Sequence, residues 1–320
     1  MKRFKVLISD YEFKSITIEK EVLHSAGAEI ITAQCKTEDE VISAGKGVHA
    51  IINQYAPITR KVMESLPNLK VIARYGVGVN TIDLEAATKH GIYVTNVTDY
   101  CMEEVADHTF SLLLACARKI VQLNKAVKND VWDYKVGMPI YRLKGRILGL
   151  VGFGSIPQNL AKKAISFGLK LVIYDPFISK SLADKYKAEV VSLNELMKIS
   201  DFISVHTPLT NETKGLIGKE QFNHAKKEAF MINTSRGEVV DEEALIHALR
   251  KNQIGGAALD VVSQEPIRHN HPLLKMENVI LTPHVAWYSE ESQIELQRKT
   301  AENVVDVLKG SSPKYLVNKI

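Results

Sequence analysis

The feature that most constrains this chain is an alternation of short β-branched runs with polar, helix-like stretches, which runs once, breaks, and starts again. In the first hundred residues the runs are KVLIS, AEIITA, AIINQ, LKVIARY and IYVTN. Such βαβ alternation predicts a parallel sheet covered by helices. From Tyr100 to about Lys119 the pattern gives way to CMEEVADHTFSLLLACARKI, a long helix with acids near its start, bases at its end and an apolar middle. The alternation then resumes at RILGLVG and continues through KLVIYD, FISVH, AFMINTS, GAALDVV and VILTPH. The expected fold is therefore α/β, with two doubly wound parallel-sheet domains. The stretch from Glu290 to Leu308 reads as an amphipathic helix that does not extend the second strand series. Returning it to the first domain gives residues 1–99 plus about 290–320 for one domain and 100–289 for the other.

Composition narrows the function classes. The 45% hydrophobic and 24% charged residues are those of an ordinary globular chain, which removes disorder from consideration. The net charge of +4 is small for 320 residues and the basic side chains are scattered, so no nucleic-acid surface is expected. Cys35, Cys101 and Cys116 are widely spaced, with no CxxC pair and no matching His, and read as reduced packing thiols rather than metal or redox ligands. The opening MKRFKVLISDYEF lacks the apolar core of a signal peptide, and no apolar run approaches the ~20 residues of a membrane span. No membrane partner is expected, and the cytoplasm is the default compartment.

Chemistry gathers where strands are expected to end. Arg236 in NTSRG, Asp260 and Glu265 in DVVSQEP, and His284 in TPHVAW each follow an apolar run that reads as a buried strand. Taken singly they are a surface cation, loop acids and a turn histidine. Placed together at the carboxyl ends of parallel strands, where ligands bind in open α/β sheets, they form a different set. Arg clamps a carboxylate with two parallel hydrogen bonds, His passes a proton near neutral pH, and Glu holds that His in one tautomer. That set suits reduction of a 2-oxo acid. In the first domain Gly76 and Gly78 of ARYGVGVN follow the fourth strand-like run and mark a tight turn.

A dinucleotide loop is expected where RILGLV runs into Gly152-Phe153-Gly154-Ser155-Ile156-Pro157 ahead of a helical stretch. Glycines there let backbone N–H groups approach a pyrophosphate at the helix N-terminus. Pro157 replaces the third glycine of the pattern and adds bulk where helix and strand pack. The next strand ends in Asp175, about 20 residues beyond the loop, where a carboxylate accepts bonds from the adenosine ribose and repels a 2′-phosphate. The expected cofactor is NAD rather than NADP, with Lys180 and Lys185 downstream softening the preference.

With these residues assembled, the chain resembles the D-isomer-specific 2-hydroxyacid dehydrogenases from about Val48 to Ser289. The resemblance rests on RYGVGVNTID, EEVADHTFSLLLACAR, GFGSI with Asp175, HTPLTNETKGLI, INTSRGEVVDEEAL, ALDVVSQEP and LTPHVAW, in order and spacing. It implies a Rossmann NAD-binding domain, a flavodoxin-like substrate domain, and catalysis by Arg236, Glu265 and His284. Arg236 holds the substrate carboxylate and polarises the 2-oxo group, His284 exchanges the proton, and Glu265 pairs with His284. Beside Gly152, Gly154 and Asp175, implied cofactor contacts are Ser155, Ile156, His206, Pro208, Thr213, Thr234, Ser235, Arg236, Asp260 and His284. The backbone of Val77 and Gly78 is the implied carboxylate subsite of the first domain. Trp287 matches the substrate aromatic of the C-terminal-binding-protein subgroup and favours an apolar or thioether side chain, while packing at a dimer interface is an equal reading. Tyr55, Arg60, Tyr75 and Arg142 are the alternative liners of a polar pocket. The resemblance also implies a homodimer through the helix around Val105 to Ala117 and the loop around Trp132. Two further functions stay open: a phosphoglycerate dehydrogenase without a regulatory domain, and an NADH-sensing corepressor-like binding protein.

Overall fold

The computed structural model describes residues 4–320, which group into two compact units: one runs to Cys101 and resumes over Ser289–Ile320, and the other is Met102–Tyr288. In the first unit five strands, β1 (Lys5–Ile8), β2 (Glu29–Thr32), β3 (Ala50–Asn53), β4 (Val71–Arg74) and β5 (Tyr93–Thr95), form one sheet in the order β2-β1-β3-β4-β5. All four pairings are parallel. This is the flavodoxin-like order, in which the chain reverses its direction of growth between β1 and β3. β3 is buried at every position because helices cover both faces of a parallel sheet.

The helix Glu290–Leu308 packs on the helix Thr17–Ser25 and on β4. Its buried face includes Leu296, Ala301, Val304 and Val307, and Ser289 opens it with a reciprocal cap on Ser292. The tail then returns to the sheet edge. The Val94 N–H donates to Asn318 Oδ1 at 2.8 Å, and Asn318 Nδ2 donates to the Ile92 carbonyl at 2.9 Å.

In the second unit β6 (Ile147–Val151), β7 (Lys170–Tyr174), β8 (Glu189–Val190), β9 (Phe202–Val205), β10 (Phe230–Asn233), β11 (Gly256–Leu259) and β12 (Val279–Leu281) form a parallel sheet in the order β12-β11-β10-β9-β6-β7-β8. That is the Rossmann order with one added strand, and its direction reverses between β6 and β9. β8 has no counterpart among the apolar runs, because its two residues are exposed at the sheet edge.

Two apolar cores cover the two faces of this sheet, one around Leu196, Met231 and Leu249 and one around Leu113, Leu150 and Leu160. The helix Met102–Arg118 contributes Ala106, Phe110, Leu112, Leu113, Cys116 and Ala117 to the latter. Its apolar face thus packs inside its own unit, while Glu103, Asp107, Ser111 and Arg118 face outward. The three cysteines are free and buried, and burial pushes the Cys116 thiol up to about 12. Among the described residues no helix is long and apolar enough to cross a membrane, and no cluster of three or more His, Cys, Asp or Glu could hold a metal ion.

Candidate active site

The glycine loop joins β6 to the helix Ser155–Ser166. Gly152 has φ +89°, and a Cβ there would press on the His206 carbonyl carbon at 3.1 Å. Gly154 caps the helix without any side-chain bond, and nothing lies within 4 Å of where its Cβ would be. The result is an open backbone cradle at the head of a 12-residue helix. Pro157 is the third residue of that helix, ahead of the first intrahelical bond, from Gln158 N–H to the Gly154 carbonyl. Its missing donor therefore breaks no helical bond, and its ring is buried with Leu160 and Ala161.

Asp175 stands just beyond β7 and accepts the Phe153 N–H and the Phe177 N–H, each at 2.8 Å. The acid and the loop are thereby fixed to one another, leaving lone pairs for ribose hydroxyls. The free helix terminus, the open space over Gly154 and the acid at the neighbouring strand end fit the pyrophosphate and adenosine ribose of NAD. His206 directly follows β9, with Nε2 and Ser204 Oγ 2.8 Å apart, and desolvation drives it down to about 3, so it is neutral at physiological pH and unsuited to supplying a proton. Thr213 Oγ1 donates to the Pro208 carbonyl and accepts the Thr210 N–H at 2.7 Å, closing the loop that carries both.

At the end of β10 the buried Asn233 builds the turn that presents Arg236. Its Oδ1 accepts both the N–H and the hydroxyl of Ser235, at 3.0 and 2.9 Å, and its Nδ2 donates to the Arg236 carbonyl at 2.9 Å. Thr234 Oγ1 lies 2.8 Å from Thr109 Oγ1, and Arg236 Nη1 donates to the Ser235 carbonyl at 2.6 Å. Gly237 follows, and a Cβ there would overlap the Val262 carbonyl and the Ser263 nitrogen. Only glycine lets the Arg236 loop lie directly on the loop after β11. Neither Asn233 nor Gly237 stands out in sequence; the single clue is that both flank the Arg236 motif.

The buried carboxylate of Asp260 organises the loop that carries His284. It accepts the Thr282 hydroxyl, the Val285 N–H at 3.0 Å and the Ala286 N–H at 2.9 Å, while the His284 N–H donates to the Asp260 carbonyl at 2.9 Å. His108, from the long helix, places Nε2 3.0 Å from the Thr282 hydroxyl. Held this way, His284 takes φ +54°, a left-handed conformation that a non-glycine residue adopts only when its surroundings impose it. Its Nδ1 lies 2.6 Å from Glu265 Oε2. Partial burial opposes ionisation of Glu265, but the bond from His284, its charge, the Val262 N–H and Arg236 outweigh that and hold the carboxyl below its ordinary range. With Glu265 ionised, Nδ1 is the donor, which leaves Nε2 as the nitrogen able to exchange a proton. Trp287 is half-buried two residues beyond Val285, edge-on to Tyr288 at 5.5 Å between centroids.

The first unit carries the remaining candidates. Gly76 takes φ +115°, and Asn96 Nδ2 donates to the Val77 carbonyl at 2.7 Å, fixing the Gly76–Gly78 turn with Val77 exposed. Tyr55 is exposed and donates to Glu12 Oε2 at 3.3 Å, whereas Arg60 lies 3.9 Å from Glu85. Two of the sequence-derived pocket liners do not serve. Tyr75 is 2% exposed with its hydroxyl on Glu19, which makes it a core residue. Arg142 lines a cavity of about 350 Å³ with Phe202, Phe230 and Gly255, at the amino ends of β9, β10 and β11, the opposite edge of the sheet from the glycine loop.

The family model described as the NAD binding domain of D-isomer specific 2-hydroxyacid dehydrogenase matches residues 110–286. A glyoxylate reductase from Korarchaeum cryptofilum is 42% identical over 82% of this chain and 80% of its own length. This chain belongs to the D-isomer specific 2-hydroxyacid dehydrogenase family. A D-3-phosphoglycerate dehydrogenase from Methanocaldococcus jannaschii is 40% identical over 98% of the chain and 59% of its own length. The crystal structure of a D-lactate dehydrogenase from Aquifex aeolicus complexed with NAD and lactic acid has a TM-score of 0.89 and 28% identity, covering 98% of this chain and 99% of that one. The dehydrogenase is accordingly an NAD-dependent enzyme that interconverts small D-2-hydroxy acids and 2-oxo acids.

Proposed function

We propose that the physiological substrate is a short, unphosphorylated 2-oxo acid such as glyoxylate or hydroxypyruvate, reduced by Arg236, His284 and Glu265. The observation that carries the assignment of roles is the 2.6 Å pair of His284 and Glu265, the latter on the loop locked against the Arg236 turn. Bound NADH supplies the hydride that reaches C2. The Arg236 guanidinium clamps the substrate carboxylate and draws charge onto the 2-oxo oxygen, and His284 Nε2 delivers the proton to that oxygen. Glu265 keeps the Nδ1 proton in place, so the imidazole presents the same nitrogen in every turnover. In the first unit the backbone turn of Val77 and Gly78, held by Asn96, is the candidate carboxylate subsite. Trp287 sets the size of the group tolerated at C3, and Asp175 sets the preference for NAD.

Relatives named glyoxylate reductase at 42% and 44% identity agree with this reading. NADH oxidation by the purified protein with glyoxylate, hydroxypyruvate, pyruvate, 4-methylthio-2-oxobutyrate and phosphohydroxypyruvate tests it. One of the first two should be preferred; preference for phosphohydroxypyruvate would reverse the assignment, and tight NADH binding without any turnover would favour a sensing role.

A homodimer is part of the same proposal. The apolar side chains of Ile120, Val121, Val127 and Val131 are exposed, and Trp132 is 89% exposed. Exposed apolar side chains gathered on one short segment suit a protein contact. Trp132→Glu should convert a sedimenting dimer to monomer. Three free, buried cysteines suit a reducing compartment, and the cytoplasm is the one proposed.

A further inference from the structure

The second unit holds another histidine–carboxylate pair that takes no part in the chemistry described above. Glu242 opens the helix Glu242–Arg250, which Asp241 caps by accepting the Ala244 N–H at 3.0 Å. A carboxylate in the first turn is favoured by the helix dipole. One of its oxygens, Oε1, lies 3.2 Å from His271 Nε2; the other, Oε2, accepts the Ser263 N–H at 3.0 Å. The side chains of His271 and Glu242 are only 17% and 20% exposed, so neither is a freely solvated surface charge. The tautomer follows from the geometry. His271 Nδ1 accepts the Leu273 N–H at 3.4 Å as the cap of the turn Pro272–Lys275, which leaves Nε2 to carry hydrogen and donate to Glu242.

The far end of this chain of bonds lies beside the catalytic carboxylate. Ser263 is two residues from Glu265, whose Oε1 accepts the neighbouring Val262 N–H at 3.2 Å and whose Oε2 meets His284. The backbone of Val262 and Ser263 is also the surface on which Gly237 rests. We propose that Glu242 and His271 are positioning residues that clamp the loop from Val262 to Glu265 against the Arg236 turn, fixing the guanidinium relative to the His284–Glu265 pair. The proposal rests on the catalytic roles assigned above to those three residues. Glu242 acts from the Arg236 side, since its helix begins only five residues after Gly237, and His271 acts from the segment that follows the loop. The clamp thus ties both flanks of the site to one backbone amide.

The test uses steady-state kinetics with glyoxylate, NADH titration and thermal melting on the full-length protein. Glu242→Ala should lower kcat about tenfold, as small displacements of catalytic groups do, with NADH affinity changed less than about twofold. Combined with Glu265→Ala it should cost nothing beyond Glu265→Ala alone, because it acts through that residue. Two His271 variants separate positioning from simple turn capping. Gln places an amide nitrogen near the Nε2 site and keeps the donor to Glu242; Asn places its carbonyl oxygen near the Nδ1 site and keeps only the cap. Positioning predicts that His271→Gln retains most of kcat and His271→Asn loses it. The reverse order overturns the proposal, as does a Glu242→Ala kcat equal to wild type while Glu265→Ala is impaired. A wild-type kcat in Glu265→Ala would overturn the assigned catalytic roles themselves, and the clamp with them. Should Glu242→Ala fail to fold, the His271 pair decides.

Discussion

The two parallel sheets reverse direction at equivalent places, yet the crevices they open there are filled differently. In the first unit the reversal lies between β1 and β3, and Asp10 occupies it. Its carboxylate accepts the N–H groups of Gln54, Tyr55 and Ala56 as well as the Ser9 hydroxyl. In the second unit the reversal lies between β6 and β9, and glycines occupy it. Gly152 lets the loop close on His206, and Gly154 leaves the helix terminus without a side-chain cap. Sheet topology makes a crevice in both; an acid satisfies the first from within the chain, and the absence of side chains reserves the second for a ligand with negative charge. The same physics continues across the second sheet, where β10, β11 and β12 end in the turns that hold Arg236, Asp260 and His284.

The sharpest way to break this contrast is to remove the cation at the end of β10. Arg236→Ala should lower kcat/KM for glyoxylate by about 10²–10⁴ while NADH still binds, because the role proposed for the lost group is on substrate and developing oxyanion. Turnover near wild type would place the chemistry elsewhere. Next in size are the two loop glycines. Gly152→Ala must hold φ +89° with a Cβ 3.1 Å from the His206 carbonyl carbon, a strain of about 1–3 kcal/mol, so both melting temperature and NADH affinity should fall. Gly154→Ala meets nothing within 4 Å and has φ −71°, so its melting temperature should hold while NADH affinity falls about tenfold. Equal NADH affinity in wild type and Gly154→Ala would show that the open space is not the cradle. Asp10→Asn is the counterpart in the first sheet. Weakening a buried acceptor of three amides should cost about 1–3 kcal/mol of stability and leave NADH titration unchanged.

Much of this contrast was legible in the residues, and the part that was not has a common cause. Buried parallel strands are continuous β-branched runs, so KVLIS, AIINQ, KLVIY and FMIN could be read as strands before any sheet order was known. Arg236, Asp260 and His284 could be found because each directly follows such a run. Gly237 could not, since its value lies in contact with Val262 and Ser263 of the next loop, which depends on β10 and β11 being neighbours. Asn233 and Asp10 fail for the same reason: each is a polar residue at a strand end whose partners are set by the path of a loop. Tyr75 was misread because an aromatic beside the Gly76–Gly78 turn looks like a pocket liner, whereas its hydroxyl finds the buried Glu19 at 2.6 Å. Arg142 was misplaced because sequence does not say to which edge of the sheet a connecting segment returns.

A finer difference between the units is that the first is assembled from two separated pieces of chain and the second from one. The joint needs polar fastening, and Asp99 supplies part of it. Its carboxylate accepts Lys299 Nζ at 3.0 Å, Lys314 Nζ at 3.2 Å and the Tyr315 hydroxyl at 2.7 Å. Partial burial works against its ionisation, but the bonds from Tyr315, Lys299 and Lys314 prevail and bring its pKa down to about 2 from 3.8. A carboxyl depressed in the folded state contributes stability that is present above its unfolded pKa and disappears as pH falls through its folded pKa. Asp99→Asn should therefore lower stability at pH 7 by about 1–2 kcal/mol, a figure reduced for solvent screening at a partly exposed site. The gap between wild type and variant should close between about pH 4 and pH 2, as measured by denaturant unfolding across that range. A gap that persists unchanged to pH 2 would mean that the carboxylate charge is irrelevant to the joint, leaving the seam to Asn318 and the apolar face of the helix Glu290–Leu308.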